Sequence, residues 1–115
     1  MVSLTIYHNP KCSKSRATLA IIREAGIEPT IVEYLNTPLT VAEIKRLLME
    51  SELSPFDAIR KEVDVYQQYI ANQTLTDDEI IELIATYPAL LNRPFVSGPK
   101  GAKLCRPPEL VKALL

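Results

Sequence analysis

The residues best equipped to do chemistry lie in one run, His8-Asn9-Pro10-Lys11-Cys12-Ser13-Lys14-Ser15-Arg16. A short apolar segment, Leu4 to Tyr7, leads into it, and a helix-patterned one, Ala17 to Ala25, leads away. A cysteine where a strand ends and a helix begins sits among unpaired backbone N–H groups at the positive end of the helix dipole. That setting favours thiolate over thiol, and thiolate is the form that attacks. Lys11, Lys14 and Arg16 add positive charge, while Ser13 and Ser15 carry hydroxyl donors. Helix N-termini also hold tetrahedral anions. The run therefore predicts a nucleophilic Cys12 lying in its own oxyanion cradle. His8, the sole histidine, could lower the thiol pKa or orient the loop.

The rest of the chain must position that sulfur. At 115 residues, 47% hydrophobic and 23% charged, it has the composition of one globular domain with a modest core. A net charge of −1 with no basic tail gives no support for nucleic acid or a membrane surface as partner. The N-terminus shows no signal-peptide pattern and no apolar run is long enough to span a bilayer, so a cytoplasmic setting with reduced thiols is expected. No spacing of Cys, His and carboxylates predicts a metal site.

Leu4–Tyr7 reads as a buried strand, Ser15–Ala25 as a helix stopped by Gly26, and Thr30–Tyr34 as a second strand. Short connections make these a βαβ unit with parallel strands. Thr40/Glu43 and Thr76/Glu79 are capping-box pairs, the first ahead of Ile44, Leu47 and Leu48, the second ahead of Ile80, Ile81, Leu83 and Ile84. Ser54-Pro55 marks another helix start, Pro88 closes a helix, and Asp64–Gln73 reads as loosely helical. Phe95–Ser97 and Ala102–Cys105 read as strands joined by Gly98-Pro99-Lys100-Gly101, before a final helix from Pro108 to Leu115. Cys105 ends a predicted strand, where packing and a redox role both remain open. The order βαβ, helices, ββα predicts an α/β (α+β mixed-sheet) domain over 1–115, thioredoxin-like, with a helical insertion at about 40–88.

Three motifs then carry a resemblance. Tyr7-His8-Asn9-Pro10-Lys11-Cys12-Ser13-Lys14-Ser15-Arg16 resembles the active-site signature of the glutaredoxin-linked arsenate reductase (ArsC-like) family. Leu91-Asn92-Arg93-Pro94-Phe95-Val96 and Leu104-Cys105-Arg106-Pro107-Pro108-Glu109 resemble two further signatures, and Ile59-Arg60-Lys61 falls where the family has a third arginine. The match runs over essentially the whole chain, and the loop Ser13-Lys14-Ser15 is similar to that of short-chain relatives. The resemblance implies that Cys12 attacks arsenate and that Arg60, Arg93 and Arg106 hold the oxyanion, with His8 and Ser15 in support. It also implies glutathione as co-substrate, glutaredoxin as partner, and no bound cofactor or metal. Because thioredoxin-like folds place a cis proline opposite the cysteine, the Arg93-Pro94 bond is expected to be cis.

Arsenate carries about two negative charges near neutral pH, so a thiolate cannot approach until that charge is neutralised. Arginine suits the task, since its planar fork pairs with two oxygens and stays charged. An ordinary thiol is only about 3% ionised at pH 7. Lowering its pKa by about two units raises the thiolate roughly 25-fold, but the accompanying loss of nucleophilicity removes roughly tenfold of that gain. Positioning and neutralising the anion must supply most of the rate. Two other readings share the fold: a monothiol glutaredoxin-like thiol–disulfide oxidoreductase, and a non-enzymatic Spx-like regulator binding RNA polymerase. Ser15 stands where a Cys-x-x-Cys motif would have its second cysteine, which counts against a dithiol enzyme and against the regulator.

Overall fold

In a computed structural model that describes residues 3–115, Thr5–Tyr7 forms strand β1, with Ile6 fully buried between half-buried neighbours. Helix α1, Ser13–Glu24, buries Ser15, Thr18, Leu19 and Ile22, the i, i+3, i+4, i+7 spacing of a single helix face. It begins two residues earlier than its apolar pattern predicts, so Cys12 itself is the N-cap. The helix ends in a Schellman motif. Gly26, at φ +81, donates its N–H to the Arg23 carbonyl at 2.9 Å, and Ile27 N–H reaches the Ile22 carbonyl at 3.3 Å.

Strand β2, Thr30–Val32, returns parallel to β1 with Ile6 beside Ile31. It stops short of the expected Tyr34, which is buried in the turn that follows. Strands β3, Phe95–Gly98, and β4, Gly101–Leu104, pair antiparallel, and β3 pairs antiparallel with β1. The sheet order is β2-β1-β3-β4, the mixed sheet of a thioredoxin-like fold. Gly98 and Gly101 join the ladder, so the predicted four-residue connection shrinks to Pro99-Lys100. Gly101 turns the chain at φ +108, a backbone region that glycine enters without steric cost.

The final helix, Pro108–Leu114, is of 3-10 type and buries Pro108, Val111 and Leu114. Those residues recur every third position, the period of a 3-10 rather than an α-helix. Val111 and Leu114 join Leu4, Ile6, Leu19, Ile22, Val96 and Cys105 in one core cluster between α1, the sheet and the C-terminal turn. Arg93-Pro94 is cis as expected, and Arg106-Pro107, for which no cis bond was expected, is cis as well.

Residues 3–37 and 93–115 make up this sheet unit, and residues 38–92 make up a second compact unit, which is helical. Helices α2, Val41–Ser51, and α4, Asp77–Thr86, both start at complete capping boxes, on Thr40/Glu43 and Thr76/Glu79. Helix α3 is the single stretch Asp64–Tyr69, and 3-10 turns span Pro55–Ala58 and Pro88–Leu90. Helices α2 and α4 pack together, and Ile59 bridges to Leu91 across two buried backbones. Among the described residues, no helix is long and apolar enough to cross a membrane.

Ile22 is fully buried in the sheet-unit core, so Ile22→Ala should cost about 2–5 kcal/mol. Gly26→Ala meets no atom within 4 Å of its new Cβ and should cost only about 1–2 kcal/mol, from its left-handed backbone. Urea unfolding midpoints measure both, and equal costs would contradict this packing.

Candidate active site

Cys12 is held at both ends of its backbone. Its N–H donates to the Asn9 carbonyl at 3.0 Å, and its carbonyl accepts from Arg16 N–H at 3.0 Å, the first turn of α1. With φ −97 and ψ 123 it has the extended backbone of an N-cap, yet no side-chain hydrogen bond closes the turn as an oxygen cap would. The position is thus occupied by a sulfur that can gain those N–H groups as partners on ionising. Burial is the largest influence on the thiol and pushes its pKa up. The Ser15 N–H, the Arg93 charge, the Lys14 N–H and a hydrogen bond from Arg93 together outweigh it, and the pKa falls below the ordinary thiol value. Lys14 therefore acts through its backbone. Arg16 spends one N–H on the Pro10 carbonyl at 3.0 Å, bracing the loop.

The Ser15 hydroxyl serves the other side of the loop. It accepts from Asn9 N–H at 3.1 Å and lies 2.6 Å from His8 Nδ1. Ser15 is fully buried and His8 nearly so, so the hydroxyl hydrogen needs an acceptor and Nδ1 is the one in reach. We assign the ring proton to Nε2 on that network. Burial lowers the His8 pKa most; Glu33 opposes this, while Arg23 and Arg16 add to it. A neutral His8 accepting from Ser15 orients the loop, which is one of the two roles the sequence left open.

Asn9 is a functional residue that the sequence reading passed over. Its Oδ1 accepts from Lys11 N–H at 3.0 Å, an Asx turn that folds the loop back toward the sulfur. The Asn-Pro dipeptide, a turn-initiating pair, is the signal that could have found it.

Arg93 and Arg106 meet through the hairpin. Phe95 pairs with Leu104, and the same register extended two residues sets Arg93 opposite Arg106. Cys105 N–H donates to the Pro94 carbonyl at 2.8 Å, and Arg106 Nη1 donates to the Arg93 carbonyl at 3.1 Å. Arg93 is half-buried and Arg106 exposed. Cys12, His8, Ser15, Arg93 and Arg106 all belong to the sheet unit, whereas Arg60 belongs to the helical one. There Arg60 N–H donates to the Leu90 carbonyl at 2.8 Å, and its Nε donates to Glu62 Oε1 at 2.9 Å. Cys105 is fully buried in the core cluster, and burial pushes its pKa up to about 12. It is a packing residue and stays a thiol at neutral pH.

No group of three or more His, Cys, Asp or Glu among the described residues could hold a metal ion. The arrangement can instead present an anionic sulfur beside a guanidinium and a helix N-terminus, a setting that receives a tetrahedral oxyanion.

A model of the ArsC family matches residues 7–114. The chain is similar to an arsenate reductase of Escherichia coli, at 44% identity over 100% of this chain and 82% of that one. Similarity to an arsenate reductase of Rhizobium meliloti (strain 1021) is 43% over 99% and 82% of the two chains. The structure aligns with that of an arsenate reductase from Vibrio cholerae at a TM-score of 0.95 and 39% identity, covering 99% of this chain and 98% of that one.

Two outcomes follow from the geometry. Arg93→Ala should raise the Cys12 pKa, read as thiolate absorbance against pH, while Cys105 stays un-ionised across the same range. Because folding depresses the His8 pKa, the unfolded chain binds more protons below about pH 6.5. Stability should therefore fall as pH drops through that value, and His8→Gln should flatten this part of a urea-midpoint profile.

Proposed function

We propose that this chain, which belongs to the ArsC family, is an arsenate reductase that draws its electrons from glutathione and glutaredoxin. The observation that carries this reading is the placement of Cys12 as the N-cap of α1, with the Ser15 and Lys14 N–H groups and Arg93 around its sulfur. An ionised sulfur at a cationic helix start is what attack on an oxyanion requires.

In the first step the Cys12 thiolate bonds to arsenic and one arsenate oxygen leaves as water, taking up two protons; arsenic remains pentavalent. Glutathione sulfur then bonds to arsenic, and a second oxygen leaves as water. A glutaredoxin thiolate attacks the glutathione sulfur next, forming a mixed disulfide. The electron pair of the broken sulfur–arsenic bond stays on arsenic, which becomes trivalent. Water releases arsenite and returns the Cys12 thiol. The protein's own part is confined to the nucleophile and to holding the anion, so no bound cofactor is required.

Arg93 and Arg106 are the oxyanion ligands in this proposal, and their opposed positions across the hairpin support the pairing. Arg60 is assigned an oxyanion-binding role on the motif Ile59-Arg60-Lys61 alone. His8 and Ser15 are positioning residues, which keep the turn that presents Cys12 in place.

Arsenite formation from arsenate, with glutathione and glutaredoxin supplied, tests the reading. Cys12→Ser should abolish turnover, and Arg93→Ala or Arg106→Ala should lower kcat/KM by about 10²–10³-fold, the usual loss when one transition-state donor is removed. Reduction of a glutathionylated peptide with no arsenate turnover would overturn it.

A further inference from the structure

Asn9 makes three of the hydrogen bonds that shape the approach to Cys12. Its N–H donates to Ser15 Oγ at 3.1 Å, its carbonyl accepts from Cys12 N–H at 3.0 Å, and its Oδ1 accepts from Lys11 N–H at 3.0 Å. Any residue type could make the first two. Only the third needs this side chain, which is held in a residue 9% exposed. An aspartate offers the same oxygen at the same reach and closes an Asx turn equally well. Its carboxylate would accept the N–H more strongly than an amide does. The fold by itself therefore gives no reason to prefer asparagine here.

Charge gives one. From Tyr7 to Arg23 the chain carries Lys11, Lys14, Arg16 and Arg23 and no Asp or Glu. That stretch includes the first turn of α1, which holds no acid, although the helix dipole favours acids there. The three other α-helices follow the preference, α2 with Glu43, α3 with Asp64, and α4 with Asp77, Asp78 and Glu79. Helix α1 forgoes this stabilisation, and it is the one that starts at a cysteine.

We propose that Asn9 is a positioning residue whose neutrality serves the reaction: its amide holds the Cys12 turn where a carboxylate would close the same turn but repel thiolate and oxyanion alike. The proposal rests on the reading of Cys12 as a nucleophile toward an anion. Asn9 acts through the turn it closes. The Lys11 and Cys12 N–H groups are taken up within that turn, and the Ser15 and Lys14 N–H groups and Arg93 are left to act on the sulfur. With no acid in the loop or in the first turn, no fixed negative charge on this stretch offsets those donors.

The test compares Asn9→Asp, Asn9→Ala and Ser13→Asp with the unaltered full chain, at low ionic strength where charge effects are least screened. Cys12 is alkylated with iodoacetate, an anion, and with iodoacetamide, its neutral analogue, while Cys105 is fully buried and does not compete. Thiolate fraction and nucleophilicity cancel in the ratio of the two rates, which therefore reads the field at the sulfur. Asn9→Asp should fold. Ser13 is exposed in the first turn of α1, so Ser13→Asp should fold with a Tm at or above the original, because an acid there complements the dipole. Both should lower the iodoacetate-to-iodoacetamide ratio about three- to tenfold, a modest figure for one added charge close by, and lower kcat/KM for arsenate at least as much. Asn9→Ala loses the turn without adding charge, so kcat/KM should fall while the ratio stays near its original value. An unchanged ratio in the acidic variants, an equal fall in Asn9→Ala, or loss of the fold in Asn9→Asp overturns the proposal. If the ratio falls as stated in a chain that makes no arsenite, the role of Asn9 stands and the arsenate reading falls.

Discussion

Helix α1 begins with N–H groups that no earlier turn can satisfy, and the residue standing among them is Cys12. An oxygen side chain there would accept one of those donors and settle the helix end. A neutral thiol is a weak acceptor, so the Ser15 and Lys14 N–H groups are better satisfied once the sulfur ionises. The place of a helix cap and the proposed role of nucleophile thereby fall to one atom. Burial works against ionisation at this position, which is why the Arg93 charge has to be close.

That arrangement requires the loop before Cys12 to be rigid, and a small buried polar cluster makes it so. Ser15 and Thr18 lie on the buried stripe of α1, where apolar residues would pack more simply. Thr18 returns its hydroxyl to the Lys14 carbonyl at 2.8 Å. Ser15 instead ties the helix to His8 and Asn9. An alanine at position 15 would keep the backbone N–H that faces the sulfur but release the strand end from the helix. In a low-dielectric interior such a satisfied network fixes a single geometry.

The sheet supplies the opposing charge by register. Antiparallel pairing of β3 with β4, closed by a two-residue turn, brings Arg93 and Arg106 opposite one another at the open end of the hairpin. Because β3 also lies against β1, that open end comes beside the strand leading to His8 and Cys12. Cys105, next to Arg106, is buried in the core while Arg106 is exposed, so the two neighbours play different parts.

Local patterns were legible in the sequence wherever the physics is local. The two capping boxes, the glycine stop of α1, the βαβ unit and the cysteine at a helix start all follow from neighbours within a few residues. The start of α1 at Ser13 was not legible, because it depends on the Asn9 turn that carries the chain back to Cys12. The 3-10 form of the last helix was missed for a similar reason: its period of three is imposed by the core it covers. The direction of the Ser15 hydroxyl, the neutral state of His8 and the inertness of Cys105 are set by burial and by partners distant in the chain. Sequence alone determined which groups could do chemistry, since residue type and local spacing are enough to put a sulfur at a helix start. Only the tertiary structure decided which groups act on that sulfur, because a thiol's ionisation depends on the charges and donors that folding gathers around it.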